Sequence, residues 1–154
     1  MTKAAAAMIV AAIEIQRRRQ SGGSMMRGVA RDTREVAGYL RPLIVDYPYE
    51  VFGILYLNVT DKILHFQMVS QGGITGTVVD PRIIFKIAFE LNAQKIIVCH
   101  NHPSGNSKPS KADEILTTKL WQGGQIIGIK LIDHIIVADH SYFSFAEEGL
   151  LKAA

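Results

Sequence analysis

The residues able to do chemistry are crowded into one stretch, His100-Asn101-His102-Pro103-Ser104-Gly105-Asn106-Ser107-Lys108-Pro109-Ser110-Lys111-Ala112-Asp113. It follows the apolar, largely β-branched run Ile96-Ile97-Val98-Cys99, which reads as a short buried strand. Residues two apart in a strand point to one face, so His100 and His102 present two imidazoles side by side where the strand ends. Asn101 is turned away by the same alternation, which favours a structural hydrogen bond. Pro103, Gly105 and Pro109 turn the chain back. Ser110 is suited to cap a helix, with Asp113 in its first turn. Two imidazoles and one carboxylate thus converge from a strand end and a helix start. That is the donor set of a catalytic zinc centre, which takes three protein ligands and leaves a fourth position for water. The plainer reading is a loop with ordinary His and Pro, and a cap whose carboxylate faces the positive end of the helix dipole. Capping and ligation by Asp113 do not exclude each other. A lone His-x-His says little, whereas His-x-His-Pro, six residues, then Ser-x-x-Asp is far more restrictive.

That pattern resembles the JAMM (MPN+) metalloprotease motif. The fuller string, His-Asn-His-Pro-Ser-Gly followed by Pro-Ser-x-x-Asp, resembles the bacterial RadC family. Further segments similar to RadC are Glu50-Val51-Phe52-Gly53-Ile54-Leu55-Tyr56-Leu57-Asn58 and Leu91-Asn92-Ala93 upstream, and Leu131-Ile132-Asp133-His134-Ile135-Ile136-Val137 and Ser144-Phe145 downstream. The resemblance covers nearly the whole chain, its first thirty or so residues more weakly. It implies a zinc-dependent hydrolase that cuts a peptide or isopeptide bond of an unidentified protein substrate with metal-activated water, the metal resting on His100, His102 and Asp113. Such a reaction needs a base for the water's proton. The resemblance gives that role to a glutamate at the start of an upstream strand, and Glu50 matches. The rival, Glu90, sits inside an expected helix and reads as solvated. Ser110 is expected from the family pattern to stabilise the oxygen of the tetrahedral intermediate. Its plain role is the helix cap.

Two other function classes stand beside the hydrolase. The RadC name carries a DNA-repair association, which implies a DNA-associated protein or metal-dependent nuclease. RadC proteins usually begin with a region resembling a helix-hairpin-helix module, for which this sequence leaves no room. The third class is a scaffold that keeps the fold without turnover, and the filled motif positions disfavour it. Asp133-His134 is a polar pair in an apolar strand, either support for the metal site or a buried hydrogen-bonded pair of no catalytic part. His65 and His140 read as surface or sheet-edge residues. No Gly-x-Ser-x-Gly elbow or phosphate-binding glycine loop is present.

The 154 residues suit one domain, and 48% apolar with 20% charged is ordinary for a soluble protein. A net charge of +3 permits contact with nucleic acid without arguing for it. Cys99 is the single cysteine, so no internal disulfide forms and a reducing, cytoplasmic setting is the natural expectation. The apolar run near the N-terminus is too short to span a bilayer.

Residues 1–24 are expected to form an N-terminal amphipathic helix (about 3–19, striped by Ala5, Met8, Ile9, Ala12 and Ile13) and a flexible break at Ser21-Gly22-Gly23-Ser24. That stripe would pack on the domain or on a second copy, giving a homodimer. Residues 25–154 form the JAMM-like domain. Within it a helix is expected from Asp32 or Thr33 to Arg41, stopped by Pro42, then a hairpin of strands Val51 to Val59 and Ile63 to Val69. A strand Ile74 to Val79, a helix capped by Asp80-Pro81, and strand 95–100 follow. A helix over 111–122 closed by Gly123-Gly124, one or two strands in Ile126 to Val137, and a short strand over Tyr142 to Phe145 complete the chain. The order is mixed α/β. The resemblance implies a curved, mainly antiparallel sheet flanked by helices, the JAMM or cytidine-deaminase-like architecture, behind the N-terminal helix.

Overall fold

The computed structural model describes residues 2–23, 28–71 and 79–151. In chain order these hold α1 (Lys3–Gly23), α2 (Thr33–Ile44), β1 (Val51–Leu57), β2 (Ile63–Gln71), α3 (Pro81–Glu90), β3 (Lys95–Asn101), α4 (Lys111–Ile127), β4 (Lys130–Val137) and β5 (Tyr142–Ser144). The five strands form one mixed sheet in the order β2-β1-β3-β4-β5. All neighbours are antiparallel except β3 and β4, which are parallel and joined by the crossover helix α4.

Strand alternation sorts the sheet into two cores. One face, with Val51, Leu55, Leu57, Ile97, Cys99, Ile135 and Val137, packs on Val36, Ala37, Leu40 and Ile44 of α2. The other face, with Phe52, Ile54, Tyr56, Ile96, Val98 and Leu131, packs on Ile84 and Ala88 of α3 and Leu120 of α4. β1 is buried along its whole length because both faces are covered, which explains its unbroken apolar sequence. Gly53 on β1 is required by close approach: a Cβ there would stand 2.6 Å from the Phe66 ring.

Several boundaries differ from the sequence expectation. α2 continues past Pro42 to Ile44, because buried Leu40 and Ile44 tie that turn to the sheet and outweigh the one backbone hydrogen bond the proline removes. α4 runs through Gly123 and Gly124 to Ile127 and ends at Gly128, whose φ of 78° is the left-handed cap conformation. Gly124 serves contact instead of termination, since a Cβ on it would lie 2.1 Å from the Ile129 carbonyl oxygen. Ile126 and Ile127 are therefore helical, and β4 is one strand. α1 also continues through Gly22 and Gly23, where a flexible break was expected, because extending a formed helix costs far less than starting one. Of its expected stripe, Met8, Ile9 and Ile13 are exposed. The strand expected over Ile74 to Val79 falls, up to residue 78, outside the described residues. No helix among the described residues is long and apolar enough to cross a membrane.

Candidate metal centre

β3 ends in Cys99, His100 and Asn101 with the backbone still in the sheet, so the alternation holds through the motif. His100 faces α4, while Asn101 faces the opposite way. There the Asn101 Oδ1 accepts the Val51 N–H at 2.7 Å and its Nδ2 donates to the Tyr47 and Tyr49 carbonyls at 3.2 and 3.0 Å. This clamp fixes the segment that leads into β1. Phe52 lies opposite His100 in the last antiparallel pair of that ladder, and Glu50, two residues before Phe52, lies near enough for its charge to raise the His102 pKa. Glu50 is half-buried there. Glu90, by contrast, lies exposed on α3 within 3.7 Å of Lys86 one helical turn away.

The loop after β3 is held by its own backbone. The His102 N–H donates to the Val137 carbonyl at 2.9 Å, and Gly105 closes a turn at φ 78°. Ser110 caps α4 in a reciprocal box: its Oγ accepts from the Asp113 N–H at 3.2 Å, and Asp113 Oδ2 accepts from the Ser110 N–H and Oγ–H, each at 2.7 Å. This cap presents the Asp113 carboxylate to the histidines. His100 Nε2 lies 3.0 Å from His102 Nε2 and 3.2 Å from Asp113 Oδ1, and His102 Nε2 lies 3.6 Å from Asp113 Oδ2. The three residues expected to hold metal thus form one cluster with donor atoms within 4.8 Å of one another. Nitrogen and oxygen ligands about 2.0–2.1 Å from a tetrahedral zinc stand about 3.3 Å apart, which these separations bracket.

The hydrogen bonds say where the protons are. A carbonyl only accepts, so the 2.7 Å contact of His102 Nδ1 with the Asn106 carbonyl places an N–H on Nδ1 and leaves Nε2 a lone pair. The Thr117 hydroxyl donates its one proton to the Asp113 carbonyl at 2.6 Å, so His134 Nδ1–H must donate to Thr117 Oγ1, also at 2.6 Å. In the neutral ring His134 Nε2 is then an acceptor, and His100 Nδ1–H donates to it at 2.9 Å. His100 Nε2 is left with its lone pair as well. With both rings neutral, two imidazole lone pairs and a carboxylate face one point, which suits a cation; a proton taken up on either Nε2 would be donated to Asp113 instead. Burial, then the nearby His100, hold the His134 pKa well below that of a free imidazole, in keeping with a neutral ring. His102 is raised, chiefly by its hydrogen bond to Asp113 against an opposing burial effect, with a smaller pull of the same sign from Glu50. Burial pushes the Asp113 carboxyl up, but hydrogen bonds from His100 and His102 outweigh it and hold the group far below the usual carboxylate range.

The Asp133-His134 pair divides between the two roles it admitted. His134 faces the cluster. Asp133 faces away and accepts from Ser144 Oγ at 2.6 Å, the His134 N–H at 2.7 Å and the Ala146 N–H at 3.0 Å, fastening β5 and the turn after it. Thr117 was missed in the sequence, though its place one turn after Asp113 on the same helix face was a usable signal. His65 bonds to Gln67 at 3.2 Å, and His140 is exposed in the turn between β4 and β5.

Comparison with known proteins agrees with this geometry. A family model described as a RadC-like JAB domain matches residues 30–150. A UPF0758 protein of Flavobacterium johnsoniae is 38% identical over 148 residues, 96% of this chain and 65% of that protein. One from Methanosarcina mazei is 36% identical over 150 residues, 97% of this chain and 66% of its own length. A third, from Nitrosococcus oceani, is 41% identical over 135 residues, covering 87% of this chain and 60% of the relative. The chain therefore spans a little under two thirds of the length of these relatives.

Proposed function

The chain belongs to the RadC-like JAB domain family, and from that premise we propose that it is a zinc-dependent hydrolase cleaving a peptide or isopeptide bond. One observation carries the reading: His100 Nε2, His102 Nε2 and the Asp113 carboxylate converge, while the far ring nitrogens of the two histidines are engaged by His134 and the Asn106 carbonyl. His100, His102 and Asp113 would hold the metal. When bound, zinc lowers the pKa of a water to near neutrality and polarises a carbonyl oxygen. Glu50, the residue just before β1 and within electrostatic reach of His102, takes the proton from the attacking water. It returns that proton to the amine nitrogen as the C–N bond breaks, leaving a carboxylic acid and an amine. Ser110, at the rim beside Asp113, offers a hydroxyl to the oxygen of the amide carbonyl as charge gathers there.

The test begins with metal content. Wild type purified without chelator or histidine tag should carry about one zinc per chain, and His102→Ala should carry none. Zinc-loaded protein is then offered peptides, isopeptides, and single- and double-stranded oligonucleotides. Glu50→Gln should keep its zinc and lose about 10²–10⁴ in kcat on an amide. Wild-type turnover in Glu50→Gln removes the mechanism. Cleavage of DNA alone, abolished in His102→Ala, replaces the reading with a nuclease. Full zinc occupancy without turnover of any substrate favours the scaffold.

A further inference from the structure

We propose that His134 is the positioning residue of this centre: as the acceptor for His100 Nδ1–H it holds His100 in the one tautomer and ring plane that turn Nε2 toward His102 and Asp113. The inference rests on the reading of His100, His102 and Asp113 as a metal centre.

A ligating histidine commonly gives its second ring nitrogen to a carboxylate or a backbone carbonyl, which fixes its tautomer. Here the acceptor is another imidazole, whose own direction has to be set. The hydrogen bonds do this in one continuous polarity. His100 Nδ1–H donates to His134 Nε2, His134 Nδ1–H to Thr117 Oγ1, and Thr117 Oγ1–H to the Asp113 carbonyl. The chain closes on Asp113, whose carboxylate is the third donor of the same cluster. It ties together β3, β4 and the first turns of α4, the three elements that must stay in register for the donors to converge. Neither imidazole can rotate freely. His100 lies parallel to the Phe52 ring at 5.8 Å and 13°, and His134 lies parallel to Phe145 at 4.8 Å and 9° with its edge toward Phe52 at 5.7 Å. His134 is fully buried, so water does not offer His100 a substitute acceptor.

The test uses the tag-free chain and three variants. His134→Phe fills the space without an acceptor, His134→Gln offers an amide oxygen to His100, and Thr117→Val removes the next link with little change of shape. Zinc affinity is read by competition with a chromophoric chelator, and ¹⁵N spectra of histidine-labelled, metal-free protein read the tautomers. His134→Phe should bind zinc about 10–100-fold more weakly, with recovery to within a few-fold in His134→Gln and a smaller loss in Thr117→Val. The spectra should show the Nδ1–H form for His100 and His134. Wild-type zinc affinity in His134→Phe, or an Nε2–H form of His100, would overturn the proposal. Should His134→Phe not fold, wild-type affinity and unchanged tautomers in Thr117→Val would overturn it equally. Failure of wild type to take up zinc would instead remove the metal reading itself, while the tautomer spectra would still decide which way the hydrogen bonds run.

Discussion

Replacing Ser110 separates two roles that one hydroxyl is asked to fill. Its Oγ accepts the Asp113 N–H at 3.2 Å and donates to Asp113 Oδ2 at 2.7 Å. A hydroxyl has a single proton. While that proton rests on Asp113, it is withheld from any substrate oxygen, so the catalytic role requires the hydroxyl to turn. Ser110→Ala removes the cap, worth about 1 kcal/mol. It also removes the Oγ–H bond to the carboxylate. That bond is solvent-exposed, and Asp113 Oδ2 keeps the Ser110 amide at 2.7 Å, so its loss adds no more than about 1 kcal/mol. The total of about 1–2 kcal/mol corresponds to a fall in Tm of about 2–8 °C for a domain of this size. Ser110→Gly is the matching control, because glycine at an N-cap costs only about a few tenths of a kcal/mol.

Thermal unfolding by circular dichroism, run beside turnover, reads both roles. A hydroxyl that stabilises the transition state costs each variant about 10²–10³ in kcat, whatever their difference in Tm. A hydroxyl that only caps leaves Ser110→Gly with wild-type turnover. If Ser110→Ala melts with wild type, the cap contributes nothing and the reasoning is refuted at its first step. If Ser110→Gly melts as low as Ser110→Ala, the loss comes from something other than the cap.

Three further outcomes are expected. Gly124→Ala should lower stability by about 3 kcal/mol or more in urea denaturation, because the Ile129 carbonyl 2.1 Å from the new Cβ is backbone and cannot yield cheaply; Gly123→Ala, meeting the Phe85 ring at 3.1 Å, should cost far less. Burial pushes the Cys99 thiol up to about 12, so native protein should be inert to a thiol reagent at about pH 8 and react with one equivalent on unfolding. In metal-free protein the raised His102 pKa contributes stability that is fully present below the ordinary imidazole value and fades as pH rises through the raised one, whereas zinc needs neutral imidazoles. The gain in denaturation midpoint on adding zinc should therefore widen between about pH 6.5 and about 8.5, and an equal gain at both would contradict this.

The sequence was most legible where chemistry and local geometry coincide. The His-x-His spacing, the Ser110 cap and the Asp80-Pro81 helix start are short-range signals, and each element stands where those residues put it. It was least legible where a residue serves a distant partner. Gly124 reads as a helix stop because glycine usually marks one, yet the structure uses it for an approach by Ile129 that no local pattern announces. Pro42 misled for the same reason, since the buried side chains around it outweigh its intrinsic cost. His134 is separated from His100 by 34 residues, and their meeting depends on the parallel register that sets Val98 beside His134. The sequence could state two roles for the Asp133-His134 pair, but only the alternation of a strand whose register is known could give one residue each.

The single parallel pairing is what makes the centre. Because β4 must run beside β3 in the same direction, α4 has to start at the edge where β3 ends and cross back over the sheet. Its first turn, carrying Asp113, is thereby delivered next to His100. β1, antiparallel to β3, begins at that same edge and brings Glu50. A strand end, a helix start and a strand start thus meet at one border of the sheet. His100 is the next-to-last residue of β3, whereas His134 lies in the middle of β4 and is fully shut away from solvent. The division follows from topology: donors at the end of β3 and the start of α4 reach the border, and a residue in the middle of β4 can only hold one of them in place.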